Sequence, residues 1–251
     1  MSRISYTPLF IALCAVSMPA TQAFGMENCS AKSAATLTPV IELYTSEGCS
    51  SCPPADVWLS QFKAAQKEGK VVAQAFHVNY WDYIGWTDRF AAPAYTQRQR
   101  ELSARTRLNS IYTPQIAKNG LTIRDYGNPA AQLAGSEAAK AEIALAKLET
   151  NRFEAKITPL DAGANWSAYF TVTEHEHVSR VSAGENKGET LRHDFVVRQY
   201  VPLGQFTGAQ ALKFSSLAPT ITAGKEHPRQ INLVVTDSKS GKTLQALSLG
   251  C

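Results

Sequence analysis

The feature that most restricts this chain is a pair of cysteines three residues apart, Cys49 and Cys52, set between a strand pattern and a helix pattern. Pro39-Val40-Ile41-Glu42-Leu43-Tyr44 is rich in β-branched and aromatic residues and is broken by Ser46-Glu47-Gly48, which reads as a buried strand entering a loop. From Pro53 onward the period lengthens. Ala55, Leu59 and Phe62 share a face with Trp58 beside them, and Pro53 and Pro54 suit a first helical turn, where a missing N–H is no loss. A thiolate at a helix start is stabilised by unpaired N–H groups and the helix dipole, so C-x-x-C in this place is a pattern for disulfide exchange. Cys49, at the outer end, is expected to be the accessible nucleophile, and Cys52, within the first turn, the buried resolving thiol. Glu47 and Asp56 would oppose thiolate formation if they stood close.

Met1 to Ala23 reads as an export signal: Arg3 gives a weakly positive start, Leu9 to Val16 is a short apolar run, and Ala23 is a small residue at the cleavage position. That run is too short to cross a hydrocarbon core of about 30 Å, and no later segment is long enough. The expected protein is periplasmic or secreted, with no membrane span after cleavage. Starting at Phe24 it keeps 228 of the 251 residues, enough for one core plus an appendage. Loss of Arg3 takes the net charge from +4 to +3 with both signs interspersed, which gives no nucleic-acid footprint. Cys14 leaves with the signal, so Cys29, Cys49, Cys52 and Cys251 remain and allow three connectivities. The economical pairing joins Cys49 to Cys52 and Cys29 to Cys251, the second as a structural bridge tying both termini.

Further along, Val71 to Val78 reads as a second central strand, followed by an aromatic loop from Tyr80 to Thr87. Pro93 to Thr106 is a polar helical surface insertion carrying Arg98, Arg100 and Arg105. Ile111 to Ala117 and Leu121 to Arg124 form a hairpin around Asn119-Gly120, a type I′ turn signal. Ser136 is placed to cap a helix with Ala138, Ala141, Leu145 and Leu148 on one face. Past Thr150 the period falls to two, as in Phe153-Ala155-Ile157, Trp166-Ala168-Phe170-Val172 and Ile231-Leu233-Val235, with glycines between. The expectation is an α/β domain over residues 24–150 followed by a small antiparallel, sandwich-like β domain over 151–251.

Glu42 to Asp56, Phe76-His77-Val78-Asn79-Tyr80-Trp81-Asp82-Tyr83-Ile84-Gly85-Trp86, Tyr112-Thr113-Pro114-Gln115, and Gly184-Glu185-Asn186 with Thr190-Leu191-Arg192-His193 together resemble the blocks of a secreted bacterial family, domain of unknown function 1223. The resemblance spans Glu42 to His193 in family order. It implies a thioredoxin-like fold followed by a β-rich part, and supplies no substrate. It also puts Thr113-Pro114 in the place of the cis-proline loop that faces the cysteines in thioredoxin-like proteins, making both residues substrate-contact candidates. The family usually has aspartate where this chain has Asn79, so a proton relay would fall to His77 or Asp82.

Three functions follow from these residues. A thiol:disulfide oxidoreductase would use Cys49 to attack and Cys52 to resolve, with protein thiols or disulfides of the periplasm as partners and no cofactor. A non-catalytic binding protein would keep Cys49–Cys52 as a fixed bridge on the same scaffold. A Cu(I)-handling protein would use Cys49, Cys52 and His77 as soft ligands. Trp81, Tyr83 and Trp86 read as packing residues. His175-Glu176-His177 puts two imidazoles on one face of an exposed strand, and without a second ligand pair no metal is expected there. Gly184-Glu185-Asn186 and Arg192-His193 read as a turn and contacts between the two units.

Overall fold

The computed structural model describes residues 1–2, 29–135 and 137–251; the export-signal reading and the Ser136 cap fall outside them. The first half holds β1 (Ser30–Lys32), β2 (Val40–Thr45), α1 (Pro53–Ser60), α2 (Lys63–Lys67), β3 (Val72–His77), α3 (Pro93–Arg105), β4 (Gln115–Lys118), β5 (Leu121–Ile123) and α4 (Pro129–Leu133). Strands follow: β6 (Ala141–Glu149), β7 (Arg152–Pro159), β8 (Asn165–Glu174), β9 (His177–Arg180), β10 (Thr190–His193), β11 (Val196–Thr207) and β12 (Gln210–Ser215). The chain finishes with β13 (Ile221–Thr222), β14 (Lys225–Glu226), β15 (Arg229–Asp237) and β16 (Thr243–Leu249).

The protein is mixed α/β and mostly sheet. Its main sheet has eight strands in the order β16-β15-β8-β11-β3-β2-β4-β5. β2 and β3 run parallel, and both are buried along their whole length because helices cover both faces. Ile41, Leu43, Ala73 and Ala75 meet Ala55, Trp58 and Leu59 of α1, while Tyr44 and Phe76 point the other way to Tyr95 and Leu102 of α3. The hairpin between β4 and β5 forms as expected, with Asn119 and Gly120 both at positive φ. A second sheet, β1-β6-β7-β12, packs its Ile143, Leu145, Phe153 and Ile157 against Phe170, Leu233 and Val235 of the main sheet. This is the sandwich core.

Three expectations change. The segment read as a helix from residue 136 is the strand β6, where Ala141, Ile143 and Leu145 are buried in alternation and Leu148 is exposed. Its Ala, Leu, Lys and Glu favour a helix, but pairing with β7 on one side and β1 on the other outweighs so weak a preference. The boundary near residue 150 does not divide the sheets, since β11 joins β3 through Val196 and Ala75 and pairs with β8 on its other side. β1, from the first half, lies in the second sheet.

The third change is Arg98. α3 forms, but Arg98 lies beneath it, ion-paired with Glu42 of β2 and stacked 4.1 Å from the Tyr169 ring. Tyr44 and Tyr169 each donate a hydroxyl hydrogen to Glu42 at 2.8 Å, so the carboxylate is fully engaged. Burial would raise the Glu42 pKa; Arg98 and the hydroxyls prevail and lower it.

The terminal bridge is formed. Cys29 and Cys251 are disulfide-bonded with Cα atoms 6.0 Å apart, although 222 residues separate them. Arg98→Met should cost about 3–5 kcal/mol in urea unfolding, and Arg98→Met with Glu42→Leu should recover part of that loss, because only the single variant leaves a carboxylate buried without a cation. Equal costs would contradict this account. Closing so long a loop is worth at most about 5 kcal/mol in chain-entropy terms, so Cys29→Ser should lower the unfolding midpoint clearly. Non-reducing peptide mapping should join Cys29 to Cys251 in the parent protein.

Candidate functional site

The loop that follows β2 holds the cysteine pair. Gly48 ends its approach, Cys49 N donates to Ser46 O at 3.1 Å, and Cys52 N donates to Cys49 O at 3.2 Å, folding the loop into the first turn of α1. Cys49 and Cys52 are disulfide-bonded with Cα atoms 5.4 Å apart. The expectation of an accessible Cys49 is not met: it is 1% exposed and Cys52 is 0%, while Ser50 and Ser51 face solvent. The helix start is also poorer in free donors than a generic one. Pro53 and Pro54 lack N–H groups, and Ala55 and Asp56 donate theirs to Cys52 O. Ser51 Oγ lies 3.4 Å from Cys49 Sγ.

The cover over Cys49 comes from far along the chain. Between β9 and β10, Asn186 Nδ2 donates to Glu47 O at 2.8 Å and to Cys49 O at 3.0 Å. Ser50 N donates to Glu185 Oε2 at 3.0 Å. Together these contacts form a clasp over the disulfide. Gly184 holds the turn at φ +74°, with Ile84 so near that an added Cβ would stand 2.8 Å from it. Gly48 meets the same wall, since a Cβ there would lie 3.0 Å from Trp81 Cβ and 3.2 Å from Ile84 Cδ1. Block Gly184-Glu185-Asn186 is therefore a contact on the cysteine loop itself.

The Thr113–Pro114 peptide is cis and immediately precedes β4, whose Gln115 pairs with Tyr44 at the end of β2. That register puts Pro114 at the same sheet edge as the cysteine loop. Trp81 joins the two, packing on Gly48 and donating its indole hydrogen to Thr113 Oγ1 at 2.7 Å.

Beneath the disulfide lies a buried polar nest. Thr45 and His77 end the paired strands β2 and β3 side by side. His77 Nδ1 is 2.7 Å from Asp88 Oδ2, and Asp88 also accepts the N–H groups of Glu47 and Phe90 at 2.9 Å each. His193, at the end of β10, has Nε2 3.3 Å from Glu47 Oε1 and Nδ1 3.8 Å from Asp56 Oδ1. Asp56 Oδ2 accepts from Thr45 Oγ1 at 2.9 Å, and Glu47 Oε2 accepts from Trp86 Nε1 at 2.8 Å. Burial would make His193 less basic, but Asp56 and Glu47 outweigh it and raise its pKa to about 10. Burial likewise pushes Asp88 up; His77 and the two backbone donors overcome it and hold it at about 2.

Of the two relay candidates, His77 enters this nest. Asp82 does not: it opens a 3-10 turn over Asp82–Ile84, accepts the Asp88 N–H at 3.2 Å and stays partly exposed. Asn79 is bound to Thr96 at 2.7 Å. The exposed strand face expected for His175 and His177 is absent, because Glu176 sits at φ +60° and turns the chain. Both imidazoles are buried, His175 accepting the Phe195 N–H and His177 3.1 Å from Glu174. Asp88 and His193 are the residues that sequence reasoning missed as members of the site. Asp88 has no local signal, whereas His193 stood in a recognised block. Because Asp88 is held below its ordinary 3.8, its contribution is complete above about pH 4 and is lost as pH falls towards 2. Asp88→Asn should therefore cost about 2 kcal/mol at neutral pH, with the gap to the parent closing below pH 4 in unfolding curves. A gap that stays constant with pH would contradict the ionised Asp88.

No curated protein matches the chain. Among solved structures, protein AGR_C_4864 from Agrobacterium tumefaciens is similar at 23% identity and a TM-score of 0.64, over 85% of this chain and 94% of that one. HBP35 of Porphyromonas gingivalis is similar at 16% identity and a TM-score of 0.57, over 86% of this chain and 76% of that one. At these identities the likenesses speak to the fold alone. The family described as protein of unknown function, DUF1223, matches residues 40–235, a span that contains the cysteine loop, its clasp and the buried nest, and the chain belongs to that family.

Proposed function

We propose that this is an exported thiol:disulfide oxidoreductase of thioredoxin-like type, working through Cys49 and Cys52 on protein thiols or disulfides of the periplasm. The observation that carries the reading is the disulfide at the strand-to-helix junction with the Thr113–Pro114 loop at the same end of the sheet. In the reduced protein the Cys49 thiolate attacks a partner disulfide, forming a mixed disulfide and expelling one partner thiolate. Cys52 thiolate then attacks Cys49 Sγ, restoring the Cys49–Cys52 bond and releasing the second partner thiolate. Two electrons pass from the pair to the partner. Thr113 and Pro114 are the candidate substrate contacts in this reading. Export is supported by the Met1–Ala23 pattern and by the two disulfides. Within the described residues no helix is long and apolar enough to cross a membrane.

The burial of Cys49 favours a second reading, a fixed bridge on a non-catalytic binding protein. Under the exchange reading, Glu185 and Asn186 must yield before a partner reaches the sulfur. Cys52→Ser should accumulate mixed disulfides with exported partners and Cys49→Ser should trap few. The Cys49–Cys52 couple should have a potential well above about −300 mV, the region below which structural bridges lie. A lower potential with no trapped partners would establish the fixed bridge instead.

A further inference from the structure

Disulfide exchange uses the cysteines and leaves the nest of imidazoles and carboxylates below them without a task. One donor atom from each of Asp56, His77 and His193 lies within 4.8 Å of the other two, and all three residues are buried. The His77 ring is held from behind: its Nδ1 faces Asp88 Oδ2 at 2.7 Å, which turns Nε2 to the opposite side. That Nε2 is fully buried and has no hydrogen-bond partner among the described residues. A buried polar atom of this kind calls for a ligand.

His193 Nε2 lies 3.3 Å from Glu47 Oε1 and its Nδ1 3.8 Å from Asp56 Oδ1, and neither ring nitrogen has a hydrogen-bond partner among the described residues. Asp56 is in turn held through its other oxygen by Thr45 Oγ1. Asp88 behind His77 and the Thr45 hydroxyl behind Asp56 are supporting groups of the kind that orient metal ligands. Glu47, Asp56 and Asp88 also bring three buried carboxylates around the two imidazoles, and buried carboxylates of this kind are paired or coordinate metal.

We propose that Asp56, His77 and His193 form a binding site for a divalent transition metal of the zinc class, supported by Thr45, Glu47 and Asp88. Two nitrogen donors and one oxygen donor leave one tetrahedral position to water or another group, a set that suits Zn2+ and its spectroscopic substitute Co2+. Donors around such an ion stand about 3.4 Å apart at metal–ligand bonds near 2.1 Å, so shifts of roughly an ångström close the set. Asp56 lies one turn of α1 beyond Cys52, which places the ion below the disulfide without involving it. The inference therefore does not depend on the exchange reading.

The test is calorimetric titration of Zn2+ into the chelator-treated full chain with both disulfides intact, alongside Co2+ absorption. One ion per chain is expected, with visible Co2+ bands of a low-coordinate site and no thiolate-to-cobalt charge transfer. Changing Cys49 and Cys52 together to Ser should leave the affinity unchanged. His77→Gln should abolish stoichiometric binding, and Asp88→Asn should weaken it about 10–100-fold. His193→Gln should also abolish it, but that variant strands two buried carboxylates and is the one most prone to misfold. His77→Gln, shown to be folded by circular dichroism, is therefore the deciding arm. Undiminished binding in that variant, loss of binding with the cysteines, or no binding by the parent chain would overturn the site.

Discussion

His193 stands between Glu47 and Asp56 in a space closed to water, and most of the arrangement around the cysteines follows from meeting that demand. Two buried carboxylates tolerate each other only with a cation and well-placed donors nearby. The cation arrives on β10, more than a hundred residues after the loop it serves. Once β10 is anchored there, its turn necessarily overlies the disulfide, and Glu185 and Asn186 find the exposed backbone of Glu47, Cys49 and Ser50. The buried ions and the covered sulfurs are thus two results of one docking event.

The same dependence explains what could be read from the residues. β2 and β3 announce themselves because a strand buried on both faces is a continuous apolar run, and the turn at Asn119-Gly120 because few residues accept positive φ. The C-x-x-C pair and Pro114 are equally local signals, and the bridge between the termini follows from joining that pair, which leaves Cys29 and Cys251. Asp88, His193 and the buried Arg98 are not, since each takes its meaning from a partner at least eleven residues away. Residues 141–149 fit both periods. Ile143 was the discriminating residue: it has no place on the helical face of Ala141, Leu145 and Leu148 yet falls in step with the strand.

The continuity of the main sheet gives the two halves a shared fate. β8 and β11 lie inside the sheet, between strands of both halves, and Tyr169 and Tyr200 reach across to the Glu42–Arg98 pair. Apolar burial and buried ion pairing therefore cross the sequence midpoint together. Cutting the chain near residue 150 would leave β11 without β3 and the Glu42 carboxylate without Tyr169. Cooperative unfolding as one unit is the consequence.

The outermost strand beyond β4 is β5, three residues long. At the opposite side, β16 is backed by β1 and β6 of the second sheet and continues to Cys251, where the chain is tied to Cys29. A partner that joined by adding a strand would find too few free main-chain groups at β5 to gain much. Under the exchange reading, a partner at the cysteine loop would instead be recognised through side chains laid across it, which favours folded surfaces or short irregular loops over long extended tails.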